Sequence, residues 1–219
     1  SLFEHVRDVA EDTRVVVEAL RIGPEWAQRL DVAANWHDVG KAHEVFQRMM
    51  TAPGEADERY RPPNDHTIWA KSNHTIGRAQ RRHFRHELAS ALAFLQRYTG
   101  PDINLIAYLI AAHHGKVRLS IRSLPGEQEP TRPECEGLFA RGVWHGDTLP
   151  EMDLPDGTKV PETTLDLRLM RLGVGSWLER TLGLRDDPDI GPFRLAWYES
   201  VLRLGDHRAS ARERKGANK

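Results

Sequence analysis

The sequence predicts an all-α fold, a bundle of helices interrupted by one irregular insertion that holds a small β-hairpin. Three observations carry this expectation. Apolar residues recur at intervals of three and four through most of the chain. That periodicity disappears between Gly115 and about Thr164. No internal repeat or low-complexity tract divides the chain into like units. It reads as one domain over residues 1–219, with the insertion at about 116–163.

Leu2, Val6, Val9, Val16, Val17 and Leu20 recur at helical spacing and predict the first helix. Pro24 stands where a second can begin, because a helix's first turn leaves its N–H groups unused and proline lacks one. That helix carries Trp26, Leu30, Ala33 and Ala34, and Gly40 could end it. A short helix follows over about 42–50. Pro53, Gly54, Pro62 and Pro63 then mark a long loop, and long loops in compact domains are often functional. Over 82–98 the pattern is helical again, with Leu88, Ala91, Leu92 and Leu95 as the buried stripe before Gly100-Pro101. The next helix, over 102–114, is rich in Ile103, Ile106, Leu109 and Ile110, and it is apolar almost all round, which predicts a central place in the core. Inside the insertion, Asp156-Gly157 is turn chemistry and predicts a hairpin over 152–160, against the strand-breaking tendency of Pro155 and Pro161. Helices resume at about 164–171 and 175–182. A last long one begins near Pro192 and carries Phe193, Ala196, Trp197, Val201 and Leu204 through Asp206.

Composition narrows the class of protein. Of 219 residues, 39% are hydrophobic and 29% charged, enough apolar material for one sizeable core. The single Cys135 excludes an internal disulfide and any cysteine-based zinc site, which predicts a cytoplasmic setting. No apolar run is long enough to span a bilayer, the first residues lack the pattern of a signal peptide, and the absent starting Met suggests an excised domain. With a formal net charge of -1 and a pI near 6.8, the chain as a whole does not attract nucleic acid. Any such binding is local. The stretch from Lys71 to Arg85 holds Arg78, Arg81, Arg82 and Arg85 with no acid between, and is either a solvated helix entry or a patch that tracks phosphates.

The residues that carry chemistry centre on Asn35-Trp36-His37-Asp38-Val39-Gly40-Lys41, a His-Asp pair at a helix end. In a chain with 11 His, one such dipeptide is easily incidental. Its company gives it weight. His113-His114 ends an apolar helix, while His5, His86 and Asp206 each lie in or at the edge of a predicted helix. Paired imidazoles at the end of a buried helix each carry a desolvation penalty of about 1–3 kcal/mol unless something bonds them. Mixed imidazole and carboxylate donors suit Fe, Mn, Co, Ni or Zn better than Mg or Ca.

The order His5, His37-Asp38, His86, His113-His114, Asp206 resembles the HD-domain metal-dependent phosphohydrolases. Within them it is most similar to the HD nuclease domain of the CRISPR-associated helicase-nuclease of type I systems. The local texts in support are Val39-Gly40-Lys41, Arg85-His86-Glu87 and Gly205-Asp206-His207-Arg208-Ala209-Ser210. The resemblance implies an HD helical bundle and two divalent transition metal ions. Asp38 would bridge them, His5, His37 and Asp206 would complete one coordination sphere, and His86, His113 and His114 the other. It further implies a water activated between the two metals to attack a phosphodiester. Lys41 would bring a cation to the scissile phosphate, or is a solvated lysine at a helix start. The family usually has an aromatic after the final Asp; here His207 replaces it, as a possible extra donor or ligand. Ser210, one turn past Asp206, is a candidate hydrogen-bond partner near the site, or a surface residue.

The remaining side chains are expected to be plainer. His43, His66, His74, His83 and His145 are predicted solvated, with His66 and His74 alternatively on a loop over the cleft. Trp26, Trp36 and Trp197 are predicted core residues, and Trp69 and Trp144 lie in predicted loops where they could stack on bases of a single strand. The leading expectation is a nuclease of single-stranded DNA. Neither Gly40-Lys41 nor Gly115-Lys116 has the context of a phosphate-binding loop. Unwinding would therefore come from a helicase domain or subunit, and through it from a CRISPR RNA-guided surveillance complex. Two alternatives are an HD phosphohydrolase of nucleotides or cyclic dinucleotides, and a binding module without catalysis. No membrane partner is expected.

Overall fold

The computed structural model describes residues 1–51, 67–71 and 81–217. Arg78, His66 and His74 lie outside the described residues.

Among these, the chain is mostly helical: α1 Leu2–Ala19, α2 Pro24–Trp36, α3 Glu44–Thr51, α4 His86–Arg97, α5 Ile103–Ala112, α6 Trp177–Asp186 and α7 Gly191–Ala217. Ser1 caps α1, its hydroxyl accepting from Glu4 N, and Pro24 opens α2 at its first position. From Leu105 to Ala112 every residue of α5 is buried, as its all-round apolar pattern predicts. Around it the core gathers Leu30, Trp36, Leu88, Leu92, Leu165 and Trp177. Trp36 meets Phe94 and Tyr98 edge-on at 5.4 and 5.5 Å between ring centroids, which locks α2 to α4. No helix among the described residues is long and apolar enough to cross a membrane.

Two glycines let backbone approach backbone. After α2 the chain makes a 3₁₀ turn over Val39–Ala42, and a Cβ on Gly40 would overlap the His86 carbonyl and press on Ser90 N. Gly40 N instead donates to Ser90 Oγ at 2.7 Å. Where α7 crosses α1, a Cβ on Gly205 would overlap the Thr13 hydroxyl. Both crossings bring site residues together.

The insertion departs from expectation in content. It holds three two-stranded antiparallel pairs: β1 Phe139–Ala140 with β2 Val143–Trp144, β3 Thr148–Leu149 with β6 Thr163–Thr164, and β4 Met152–Asp153 with β5 Lys159–Val160. The β4–β5 pair is the hairpin expected at Asp156-Gly157, with Met152 opposite Val160. The helix expected over 164–171 is absent: Thr163–Thr164 pair with β3, and Leu167–Met170 make only a 3₁₀ turn, capped by Asp166 accepting from Arg168 N. The helix expected from Arg82 starts at His86, because Arg85 is extended and its N–H bonds Arg141 O at 2.8 Å. Of the stripe expected for α7 only Val201 is buried; Phe193, Ala196, Trp197 and Leu204 are exposed, and the buried side carries Leu195, Leu202 and Ala209 instead. Trp26 is partly buried and stacks on Tyr198 at 3.7 Å.

Candidate metal centre

Helix ends deliver most of the site. His37 and His113 are the C-cap residues of α2 and α5. Each turns Nδ1 back to a carbonyl of its own last turn, Ala34 O and Ile110 O, both at 2.7 Å. Helix termini leave such carbonyls without an intrahelical donor, so the imidazole N–H fills a ready vacancy and the tautomer is set. Nε2 is then the free acceptor on both rings. Asp38 follows His37, His86 opens α4, His114 follows His113, His5 sits in the second turn of α1, and Asp206 is on α7.

These side chains meet around Asp38, whose carboxylate is 1% exposed. Its Oδ2 lies 3.0 Å from His5 Nε2 and 3.2 Å from His37 Nε2. Its Oδ1 faces the other way, 3.0 Å from His86 Nε2 and 3.8 Å from His113 Nε2. His5 Nε2 is also 3.6 Å from Asp206 Oδ1, and His114 Nε2 is 3.1 Å from His86 Nε2. The donors fall into two groups able to hold a cation: Asp38, His86, His113 and His114; and His5, His37 and Asp206. Within each group the ligating atoms lie within 4.8 Å of one another.

The donors fit a metal on their own evidence. His5 Nε2, His37 Nε2, His113 Nε2 and Asp38 Oδ1 are buried without a hydrogen-bond partner. Each such atom costs about 1–3 kcal/mol if left so, and a cation among them removes the penalty. Burial pushes His86 down to about 4, against the pull of Asp38. Burial and neighbouring histidines push His113 and His114 to about 3. At neutral pH these rings are uncharged, the form that coordinates. Burial alone would raise Asp38, but His37, Lys41 and His86 hold it well below the usual carboxylate range. Asp206 is likewise lowered, burial being outweighed by His37 and its neighbours. Burial lowers the His5 pKa, but the neighbouring carboxylates of Asp38 and Glu213 outweigh it and raise it above the ordinary value.

Lys41 is buried, with Nζ 2.6 Å from Asp38 Oδ2. Ser210 Oγ donates to Asp206 Oδ1 at 3.2 Å, within the site's hydrogen-bond network. Of the basic run, Arg82 is exposed, Arg85 is half-buried, and Arg81 is committed to Asp147 Oδ2 at 2.5 Å with its guanidinium over the Trp144 ring. Trp144 is 8% exposed under that cation, which corrects the expectation of a loop residue free to stack on bases; Trp69 is half-buried. His43 is also a correction: it is 3% exposed, with Nε2 3.2 Å from Asp147 Oδ2, because a partner far along the chain folds onto it. His145 is half-buried and accepts from Leu167 N, and His83 is exposed as expected. His207 is exposed and stands outside both donor groups.

Sequence reasoning missed Glu213 and the role of Lys71. Glu213 Oε1 is 2.7 Å from His5 Nδ1, and Lys71 Nζ donates to both Glu213 Oε2 and Ser210 Oγ. The signal was present: Asp206, Ser210 and Glu213 are spaced four and three apart, one stripe of a helix. It also missed Glu87, fully buried, which burial pushes up to about 7.

Against known families, the model described as Cas3, HD domain matches residues 1–159. That span takes in every candidate ligand except Asp206. No curated protein matches the chain.

Proposed function

Since the chain belongs to the Cas3 HD-domain family, we propose that it cuts single-stranded DNA in type I CRISPR interference with two divalent metal ions held around Asp38. As a Cas3 HD domain it is a metal-dependent nuclease of CRISPR systems. The proposal adds the strand, the number of metals and the supplier of substrate, a helicase domain or subunit acting with a CRISPR RNA-guided complex.

One observation carries it: the two oxygens of a buried carboxylate face two separate sets of imidazoles, and the Nε2 atoms of His5, His37 and His113 lack hydrogen-bond partners. On this proposal His5, His37 and Asp206 hold one cation, His86, His113 and His114 the other, and Asp38 touches both. When bound, such a pair lowers the pKa of water and neutralises charge on the phosphate oxygens. The chain's own groups do the rest. The carbonyls of Ala34 and Ile110 keep His37 and His113 in the coordinating tautomer. Lys41 is the cation next to the carboxylate and would meet a phosphate entering there. Among the described residues of the basic run, the exposed Arg82 and the half-buried Arg85 would follow the backbone of the strand. The metal is Fe, Mn, Co, Ni or Zn by donor chemistry.

The test is cleavage of labelled single-stranded DNA by metal-loaded protein, beside duplex DNA, RNA, nucleotides and cyclic dinucleotides. Wild type should degrade the DNA strand, and Asp38→Ala should lose more than about 100-fold, beyond what loss of a ligand's outer partner does. Full activity in Asp38→Ala would end the proposal. Hydrolysis of nucleotides in preference to the strand would replace it with the small-molecule phosphohydrolase.

A further inference from the structure

His5 differs from the other helix-borne ligands in how its far nitrogen is held. His37 and His113 end their helices, where open carbonyls accept their Nδ1–H. His5 lies inside α1, where the nearby carbonyls serve the helical ladder; Ser1 O, for one, already accepts from His5 N. Its Nδ1 needs an acceptor from another element, and Glu213 of α7 supplies one at 2.7 Å.

That acceptor is part of a linked chain. Lys71 Nζ reaches Glu213 Oε2 at 2.6 Å and Ser210 Oγ at 2.7 Å, and Ser210 Oγ donates in turn to Asp206 Oδ1 at 3.2 Å. His5 and Asp206, two donors of one group, are thus tied through one lysine. The other group has no such relay among the described residues: His113 leans on its own backbone, His86 Nδ1 faces the buried Glu87 Oε2 at 3.8 Å, beyond hydrogen-bond reach, and His114 meets His86 through their Nε2 atoms. As a device for overall stability the Lys71–Glu213 pair is weak, because both side chains are partly exposed and such pairs contribute about 0–1 kcal/mol. Its geometry matters more: a carboxylate on the far nitrogen of a ligating imidazole fixes ring orientation and strengthens the donor.

We propose that Glu213, held by Lys71, is a positioning residue that aims His5 and Asp206 at one of the two metal sites and leaves the other untouched. This rests on the two-metal proposal above. The test uses metal-stripped full chain titrated with Co(II), followed by calorimetry and by the visible absorption of the bound ion. Wild type should take two equivalents. Glu213→Ala should weaken one of them about 10- to 100-fold and leave the second at its wild-type affinity. Glu213→Gln, whose amide oxygen still accepts from Nδ1, should recover most of the loss. Lys71→Met, at a partly exposed position that tolerates change, should weaken the same equivalent less.

Two wild-type equivalents in Glu213→Ala would overturn the positioning role alone. So would equal weakening of both equivalents, or a Gln variant as weak as Ala. A wild-type chain that binds fewer than two equivalents would overturn the two-metal proposal, and this inference with it.

Discussion

Asp147 shows at the scale of one residue how charge is placed in this molecule outside the metal centre. Its carboxylate is buried, yet it meets Arg81 Nη1 at 2.5 Å, Trp144 N at 2.8 Å, Arg132 Nη2 at 3.0 Å and His43 Nε2 at 3.2 Å. Burial raises its pKa, but the bonds from His43 and Arg81 outweigh that and hold it near 2. A carboxylate lowered in this way adds stability above its unfolded pKa near 4. That contribution is lost as pH falls from about 4 toward 2, and it is on the order of 2 kcal/mol. Asp147→Asn should therefore show its largest deficit in urea unfolding at neutral pH, and the gap to wild type should close below about pH 4. A gap independent of pH would mean the charge is not what matters. None of this was legible from His43 or Arg81 singly, since His43 reads as a solvated side chain and Arg81 as one member of a basic run until the insertion is folded over them.

At the scale of elements, two glycines decide how closely the helices that bear the candidate ligands can pass. In an exposed helix, Gly→Ala is favourable by about 1 kcal/mol. At Gly205 that gain is opposed by overlap with the Thr13 hydroxyl and contact with its Cα and Cβ, and overpacking costs about 1–3 kcal/mol. Gly205→Ala should therefore destabilise the protein by about 1–2 kcal/mol in urea unfolding. Gly183 of α6 has open space where a Cβ would go, so Gly183→Ala is the control and should gain a few tenths to 1 kcal/mol. A neutral or stabilising Gly205→Ala would show that α1 and α7 have slack at the crossing. Gly40 is tighter, since its obstruction is the backbone of His86; Gly40→Ala should push α4 away from Asp38 and weaken metal binding together with stability.

The long helices were legible because their apolar residues keep a 3.6-residue period over several turns; α5 is the clearest, buried along most of its length as its composition predicts. The strands were not, apart from the β4–β5 hairpin. Each is two residues long, too short for alternation to register, and only Asp156-Gly157 carries a turn signal. Period also fails to say which flank of a helix meets solvent, hence Phe193, Ala196, Trp197 and Leu204 of α7.

For the molecule as a whole, the clustering of the candidate donors was legible for a different reason. Donor chemistry concentrates at helix ends and in a fixed chain order, and the fold does bring His5, His37-Asp38, His86, His113-His114 and Asp206 together. What escaped notice was support from distant segments: Glu213 and Lys71 behind His5, and the Asp147 hub behind His43. These partners carry no motif of their own, and only the bundle's closure, α7 against α1 and the insertion against α4, makes them neighbours.

Crystals of the Mn(II)-loaded chain, with diffraction recorded across the manganese absorption edge, examine the shared carboxylate most directly. Two anomalous peaks about 3.5–4 Å apart on either side of Asp38 are expected, one among His5, His37 and Asp206 and the other among His86, His113 and His114. A single peak, or peaks that leave Asp38 uncoordinated, would contradict a two-metal centre in this protein.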